Sequence, residues 1–411
     1  MSGTSSDEAF MQQALELARK GIALASPNPC VGAVLVDAAG KVIGRGTHTY
    51  EGRKHAELLA LEEAGDRARG ATLYVNLEPC SHVGRTGPCA DALIAAGVKR
   101  VFVAMRDPNP AVGGQGLARL RNAGIEVQEG LGEAEARKLN ESFAKYVRHK
   151  TPFVTLKTAM TLDGKIAPPP GESATPGALG PLTAIGGWIT SEEARAHVHE
   201  LRHASDAIMV GVGTIIADDP LLSDRAGLPR RRPLLRVILD SRLRLPLDSR
   251  VVKTAREDLI VFCCFAEENK RRELEARGVI VEQVPMRHPV EDGTIPFPGR
   301  SPTVDGRPDL ERVLANLGGC EITSLIIEGG AMVNWAALSA GVVDKIFFYY
   351  APKILAGTGS IPFALGAGYR RISEAAYVKS VVLHRFGEDF AVEGYLRDPY
   401  ADDISVVPAP R

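Results

Sequence analysis

Three candidate metal ligands constrain this chain more than any other feature. His55-Ala56-Glu57 opens HAELLALEEAG (55–65), which reads as a helix ending at a glycine. Pro79-Cys80 stands at the end of the strand-like ATLYVNL (71–77) run, and Cys89 starts the next helical run, CADALIAAG (89–97). One imidazole and two thiolates can hold a zinc ion tetrahedrally and leave the fourth position to water. A fold that uses them must bring two helix starts and one strand end to a point. Helix N-termini there favour the thiolate forms. Glu57, two residues past the histidine, is placed to shuttle protons rather than to bind metal.

The surrounding pattern allows such a fold. Phe10, Met11, Ala14, Leu17, Ala18 and Ile22 mark one apolar helical face. VGAVLVD (31–37) and KVIGRG read as a hairpin. KRVFVAM, LARLRNAG and IEVQEG continue the alternation of strand and helix, and EAEARKLNESFAKYVRHK reads as one long closing amphipathic helix. Alternation of this kind predicts a mostly parallel or mixed sheet covered on both faces. A second domain is expected from Thr151-Pro152, giving boundaries of 1–150, 151–400 and a poorly ordered tail, 401–411. Its strand-like runs are FVTLKTAM, AIMVGVG, LRVILD, LIVFCC, VIVEQV, SLIIEGG, DKIFFYYAP and SVVLHRFGEDFAVEGYLR. ITSEEARAHVHELRHAS carries a helix-start signal, and the Pro- and Gly-dense stretch from Pro168 to Gly187 reads as a loop.

With 49 basic and 50 acidic residues, no basic excess points to nucleic acid. Six cysteines are too sparse for a disulfide scaffold and are more often buried, catalytic or metal-binding. No run of about 18 uncharged apolar residues suits a membrane span, and the start, MSGTSSDEAF, has no apolar leader core. A cytoplasmic location is the default expectation.

His-x-Glu, then Pro-Cys, then a further Cys is the arrangement of zinc deaminases. A closed structural zinc site would want a fourth protein ligand, so an open catalytic site fits the three ligands better. The stretch PCSHVGRTGPC is longer than the Cys-x-x-Cys of nucleic-acid and nucleoside deaminases. With SPNPCVGAV (26–34), TLYVNLEPC (72–80) and DPNPAVGGQGLARLRNAGIEV (107–127), it resembles the deaminase domain of the bifunctional riboflavin-biosynthesis deaminase/reductase family. The resemblance implies an N-terminal cytidine-deaminase-like three-layer α/β/α domain, with Asn28, His82 and Thr86 as substrate contacts. On the residues alone, Asn28 could be a turn residue between two prolines and His82 a solvated loop histidine.

The second domain lacks a GxGxxG fingerprint. Ile327-Glu328-Gly329-Gly330 ends an apolar strand before a helix, a turn that lets a phosphate approach the helix N-terminus. LKTAMTLDGKIA (156–167), residues 187–222, LRVILDS (235–241) and SLIIEGGAMVN (324–334) resemble the reductase half of the same family. The resemblance implies a C-terminal dihydrofolate-reductase-like α/β domain that uses NADPH. Ala159, Trp188, Thr214, Asp218, Ser241, Gly330, Ala331, Met332, Val333 and Asn334 map onto its cofactor positions. Lys157, Arg202, Leu222, Arg225 and Glu328 map onto its substrate positions. Lys157 lies in an apolar strand and needs a partner or ligand. Arg202 and Arg225 suit a 5′-phosphate, or are solvated charges. Glu328 could equally be a buried acid held by backbone donors, and Asp163 a turn former.

The family commonly joins Gly-Glu-Ser closely to Trp-Ile-Thr. Here residues 174–187, uncharged and rich in Gly and Pro, separate Ser173 from Trp188. They read as a surface bulge in preference to a lid or a sign of altered reduction. The resemblance implies deamination of 2,5-diamino-6-(5-phosphoribosylamino)pyrimidin-4-one, then reduction of its ribosyl group to ribityl. It further implies one Zn²⁺ per chain, NADPH, phosphoribosylated pyrimidine ligands, no nucleic-acid or membrane partner, and a homo-oligomer, with a dimer favoured. The alternatives are a deaminase whose reductase-like domain has lost activity, an RNA-binding base-modifying protein, and a non-catalytic zinc-stabilised interaction protein.

Overall fold

The computed structural model describes residues 6–82, 87–169, 187–286 and 306–401. Thr86, residues 174–186 of the inserted stretch, and the tail after Ala401 lie outside them. Contacts divide the chain into two units, Met1–Lys150 with Pro229–Arg232, and Thr151–Leu228 with Pro233–Arg411. Among the described residues, no helix is long and apolar enough to cross a membrane.

The first unit runs α1 (Ser6–Arg19), β1 (Gly32–Val36), β2 (Val42–Thr47), α2 (Ala56–Ala64), β3 (Thr72–Leu77), α3 (Cys89–Ala95), β4 (Arg100–Met105), α4 (Gln115–Asn122), β5 (Glu126–Glu129), α5 (Glu133–Leu139) and α6 (Glu141–His149). Its described strands form one sheet, ordered β2-β1-β3-β4-β5. β1 is antiparallel to β2 and β3, whereas β3, β4 and β5 are parallel. α1 packs on β1 and β3, and α2 on β1 and β2. A Cβ on Gly32 would meet the α1 backbone, whereas Cβ atoms on Gly44 and Gly46 would collide with the Ala60 and Ala56 carbonyl oxygens of α2. Those glycines are what allow α2 to lie directly on the hairpin, with His55 at its N-cap.

Two local expectations are corrected. α1 stops at Arg19, so Ile22 lies beyond it, and Leu15 is buried instead. The long closing helix is broken at Asn140 (φ −110°, ψ 17°). There the Asn140 Oδ1 accepts the Cys30 N–H at 2.8 Å and its Nδ2 donates to the Cys30 carbonyl at 3.1 Å. A side chain that must grip a distant loop has displaced helical continuity.

The second unit runs β6 (Phe153–Thr161), β7 (Lys165–Ala167), α7 (Glu192–His203), β8 (Ala207–Gly211), α8 (Val212–Asp218), β9 (Leu235–Leu239), α9 (Arg250–Lys253), β10 (Leu259–Cys263), α10 (Glu268–Glu275), β11 (Val279–Gln283), α11 (Leu310–Gly319), β12 (Ser324–Ile327), α12 (Ala331–Ser339), β13 (Lys345–Ala351), β14 (Ile361–Pro362), β15 (Lys379–Phe386) and β16 (Asp389–Tyr395). Among the described residues its main sheet is ordered β11-β10-β9-β8-β12-β6-β13-β16-β15. Pairing is parallel through β13 and antiparallel at β16 and β15. Along β8, Ala207 and Met209 enter one core cluster and Ile208 and Val210 another. Strands covered on both faces must read as continuous apolar runs, as these do. Ser191 caps α7, its Oγ accepting the Ala194 N–H at 3.2 Å.

Gly46→Ala should cost about 1–3 kcal/mol or more, because a methyl there forces α2 off the hairpin. Urea unfolding checks this; an unchanged midpoint would contradict the packing described.

Candidate active sites

In the first unit, the end of β3 and the starts of α2 and α3 meet. His55 Nδ1 lies 3.2 Å from Cys89 Sγ and 3.4 Å from Cys80 Sγ. These three ligand atoms all lie within 4.8 Å of one another, and they are the only such cluster among the described residues. The Cys89 thiol hydrogen-bonds to Cys80 and, with His55 and the Cys89 amide, pulls the Cys80 thiol down to about 4 against the cost of burial. Cys89 is pushed up, chiefly by the same bond and by burial. A cation bound here would take the thiolate forms and displace the thiol protons. A nitrogen and two sulfurs this close suit zinc.

Glu57 is in the first turn of α2 and buried. Burial lifts its carboxyl to about 7, against the pull of His55. Such a group can take up and return a proton near neutrality. Asn28 faces the buried His48. His48 Nδ1 lies 2.9 Å from the Lys54 carbonyl, so its Nδ1–H donates there and its Nε2 accepts from Asn28 Nδ2 at 3.0 Å. That tautomer turns the Asn28 carbonyl oxygen away from the histidine. The His48 ring also stands edge-on to His55, with centroids 5.3 Å apart. His82 is exposed and lines a cleft with Cys80, Asp107 and Val112.

Spacing and residue type flagged neither His48 nor Glu78. Glu78 is buried and accepts N–H bonds from Asp107 (3.1 Å), Gly114 (2.8 Å), Gly116 (2.8 Å) and Leu117 (3.3 Å). It fixes the 107–117 loop and the start of α4 against the end of β3. Asn76 makes a parallel clamp on the Asn28 loop, accepting from the Gly32 N–H and donating to the Cys30 carbonyl.

In the second unit, Lys157, Arg202 and Glu328 converge. Glu328 lies just past β12, with its side chain 8% exposed. Arg202, from α7, donates from Nε at 2.6 Å and from Nη2 at 2.8 Å, a bidentate pair. Lys157 Nζ of β6 lies 3.6 Å away. The acid is therefore held by charged side chains, not by backbone donors. Burial works to raise the Glu328 carboxyl, but Arg202 and Lys157 overrule it and hold it at about 2. Burial lowers the Lys157 ammonium, which Glu328 opposes. Arg202 Nη1 donates to the Ser223 carbonyl, while Arg225 is exposed and donates to Ser223 Oγ at 3.3 Å. Arg225 thus has more of its guanidinium open to an incoming anion. Leu222 is buried beside them in the chain.

Gly329 (φ 100°) and Gly330 lead into α12, which no side chain caps. Ala331, Met332, Val333 and Asn334 form its first turn. Gly330 abuts Thr214 of α8: a Cβ on it would lie 3.5 Å from the threonine Oγ1. Asn334 is buried and donates to the Phe363 carbonyl at 2.6 Å, and its Oδ1 has no partner. An uncapped helix start beside glycines suits a phosphate. Ala159 lies on β6, Asp218 ends α8 with its carboxyl raised by burial, and the Ser241 carbonyl accepts the Cys264 and Phe265 N–H groups. Trp188 is exposed under the Arg195 guanidinium, 4.7 Å from its ring centroid. Asp163 accepts from Thr161 Oγ1 and from the Leu355 and Ala356 N–H groups, the work of a turn former.

The family described as "Cytidine and deoxycytidylate deaminase zinc-binding region" matches residues 4–105, and "RibD C-terminal domain" matches residues 152–390. The riboflavin biosynthesis protein RibD of Aquifex aeolicus is 41% identical over 387 residues, 94% of this chain and 97% of its own. The chain belongs to the RibD family. Among solved structures, RibD of Acinetobacter baumannii, form 1, is 35% identical with a TM-score of 0.77, covering 95% of this chain and 98% of that one. The diaminohydroxyphosphoribosylaminopyrimidine deaminase/5-amino-6-(5-phosphoribosylamino)uracil reductase of Thermotoga maritima is 36% identical, with a TM-score of 0.73 and coverage of 95% and 98%. As a RibD protein, the chain is a bifunctional enzyme of riboflavin biosynthesis. A zinc-binding, cytidine-deaminase-like domain is joined to a dihydrofolate-reductase-like domain that takes a nicotinamide cofactor.

The Glu328 pairing makes acid stability a test. Its carboxyl is depressed in the folded state, so its stabilisation is full above the ordinary value of 4.5 and fades as pH falls towards 2. Glu328→Gln should be markedly less stable than the parent at pH 7, since it strands two buried cations. The gap should narrow below pH 4 in denaturant titrations; a gap independent of pH would contradict the pairing.

Proposed function

We propose that residues 1–150 hydrolyse the exocyclic 2-amino group of 2,5-diamino-6-(5-phosphoribosylamino)pyrimidin-4-one, releasing ammonia. Residues 151–400 then reduce the resulting 5-amino-6-(5-phosphoribosylamino)uracil to its ribityl form. The observation that carries this reading is the pairing of two site types in one chain: the His55, Cys80 and Cys89 cluster beside buried Glu57, and the Lys157, Arg202 and Glu328 cluster beside an uncapped helix start.

His55, Cys80 and Cys89 would hold zinc, one per chain. When bound, zinc supplies a water acidic enough to deprotonate near neutrality. Glu57 accepts a proton from the attacking water and returns it to the departing amine at C2. Asn28, oriented by His48, presents its carbonyl oxygen to the pyrimidine, and the family resemblance makes His82 and Thr86 further substrate contacts.

In the second unit NADPH would be the hydride donor, its phosphates at the Gly330–Asn334 turn, with Ala159, Trp188, Thr214, Asp218 and Ser241 along the remainder. Reduction opens the ribosyl ring, places hydride on C1′ and leaves a proton on the former ring oxygen. Lys157 holds the sugar through its ammonium, which Glu328 fixes in place while Arg202 orients that carboxylate; Arg202 and Arg225 suit the phosphate, and Leu222 is a further substrate contact. We further propose that the protein works in the cytoplasm as a homo-oligomer, a dimer first, without nucleic acid or membrane. The reading of a deaminase with an inactive reductase-like half has no observation in its favour, since its charged cluster is intact.

Glu57→Gln should keep about one zinc per chain yet lose about 10²–10⁴-fold in ammonia release. Reduction of pre-deaminated substrate by the same variant should persist. Elemental analysis with both assays checks this; near-wild-type ammonia release would remove Glu57 from its role.

A further inference from the structure

Lys157 has a second neighbour besides Glu328. β6 and β13 are parallel, with Lys157 paired to Phe347 and Ala159 to Tyr349. Residues two apart on a strand share a face, so Lys157 and Tyr349 are diagonal neighbours on one side of the sheet. The Lys157 ammonium stands 5.7 Å from the Tyr349 ring centroid, within cation–π range. Tyr349 is fully buried. Its hydroxyl lies 2.6 Å from His197 Nδ1. Burial raises the phenol and lowers the imidazole, so the neutral phenol donates and the neutral histidine accepts.

His197 and Arg202 both belong to α7. One helix therefore grips both ends of a row running Arg202, Glu328, Lys157, Tyr349, His197. Glu328 holds the ammonium from one side and the ring face from the other. The packing around the ring, with Ala194 and Val198 of α7 and Ala391 of β16, leaves it little freedom to turn.

We infer that Tyr349, held by His197, is a positioning residue that keeps the Lys157 ammonium charged and aimed at the reductase substrate. The inference rests on the reading of Lys157 as a substrate-binding group. The charged and titratable groups around the row are Asp224 and His199 beside Arg202 and Glu328, Glu328 and Arg202 beside Lys157, Glu328, Glu200 and Glu393 around Tyr349, and Glu200, His384 and Glu393 around His197.

The test is the pH profile of kcat/KM for reduction of pre-deaminated substrate, in full-length protein with zinc and NADPH supplied. Removing the ring withdraws a partner of the charged amine, so Lys157 loses its proton at lower pH. Tyr349→Leu should lower kcat/KM roughly tenfold at neutral pH and move the alkaline limb down by roughly one pH unit. Tyr349→Phe, which keeps the ring face, should leave the limb in place. Ammonia release reports on folding of the other unit, and thermal melting on the whole chain. Should Tyr349→Leu fail to fold, pentafluorinated phenylalanine at position 349 keeps the volume, reverses the ring's face potential and should move the limb the same way. An unmoved limb in these variants, with reduction lost in Lys157→Met, overturns the inference alone. Wild-type reduction by Lys157→Met overturns the reading of Lys157 and the inference with it.

Discussion

A carboxylate cannot leave water without partners, and each unit of this chain is arranged around one buried just past the end of a parallel strand. After β3, Glu78 gathers four backbone N–H groups from the 107–117 segment. That ties the loop beside His82 to the strand that delivers Cys80. After β12, Glu328 takes two charge-assisted bonds from Arg202 and the field of Lys157. The first acid is satisfied by neutral amides and orders a loop. The second is satisfied by cations and creates a charged row.

The chemistry follows from where these acids leave their neighbours. Cys80, two residues beyond Glu78, meets His55 and Cys89 because α2 is allowed onto the hairpin by Gly44 and Gly46. Glu57 lies in the first turn of α2, two residues past the N-cap His55, so the group able to move a proton is fixed by the backbone that positions the ligand. Two residues beyond Glu328, Gly330 starts α12 with its amides uncapped. The acid that holds the cations and a helix start open to phosphate thus lie within a few residues of one strand end, the usual place for sites in parallel sheets.

Much of this was legible in the sequence, for identifiable reasons. Zinc ligands are restricted to few residue types, so His55, Cys80 and Cys89 stood out, and strands buried on both faces announced themselves as unbroken apolar runs. The break at Asn140 was not legible, because its cause is Cys30, far away in the chain. The Glu328–Arg202 pair spans the unit in the same way, so the sequence offered Arg202 as a phosphate ligand or solvated charge and Glu328 as a substrate contact or an acid held by backbone donors, not as each other's partner. Tyr349 lay in FFYY, where a strand is obvious but the stacking of one ring on a lysine is not. His48 carried no spacing signal; its role appears only once the Lys54 carbonyl fixes its tautomer.

As a RibD protein, one chain carries out both a hydrolytic and a reductive step. The most direct measurement follows ammonia and NADPH in the same reaction, with purified full-length protein, zinc and the diaminopyrimidine substrate. Ammonia should appear first and NADPH oxidation should follow, with both reaching the same final amount as the substrate supplied. Ammonia release with no NADPH oxidation, even when pre-deaminated substrate is added, would contradict it.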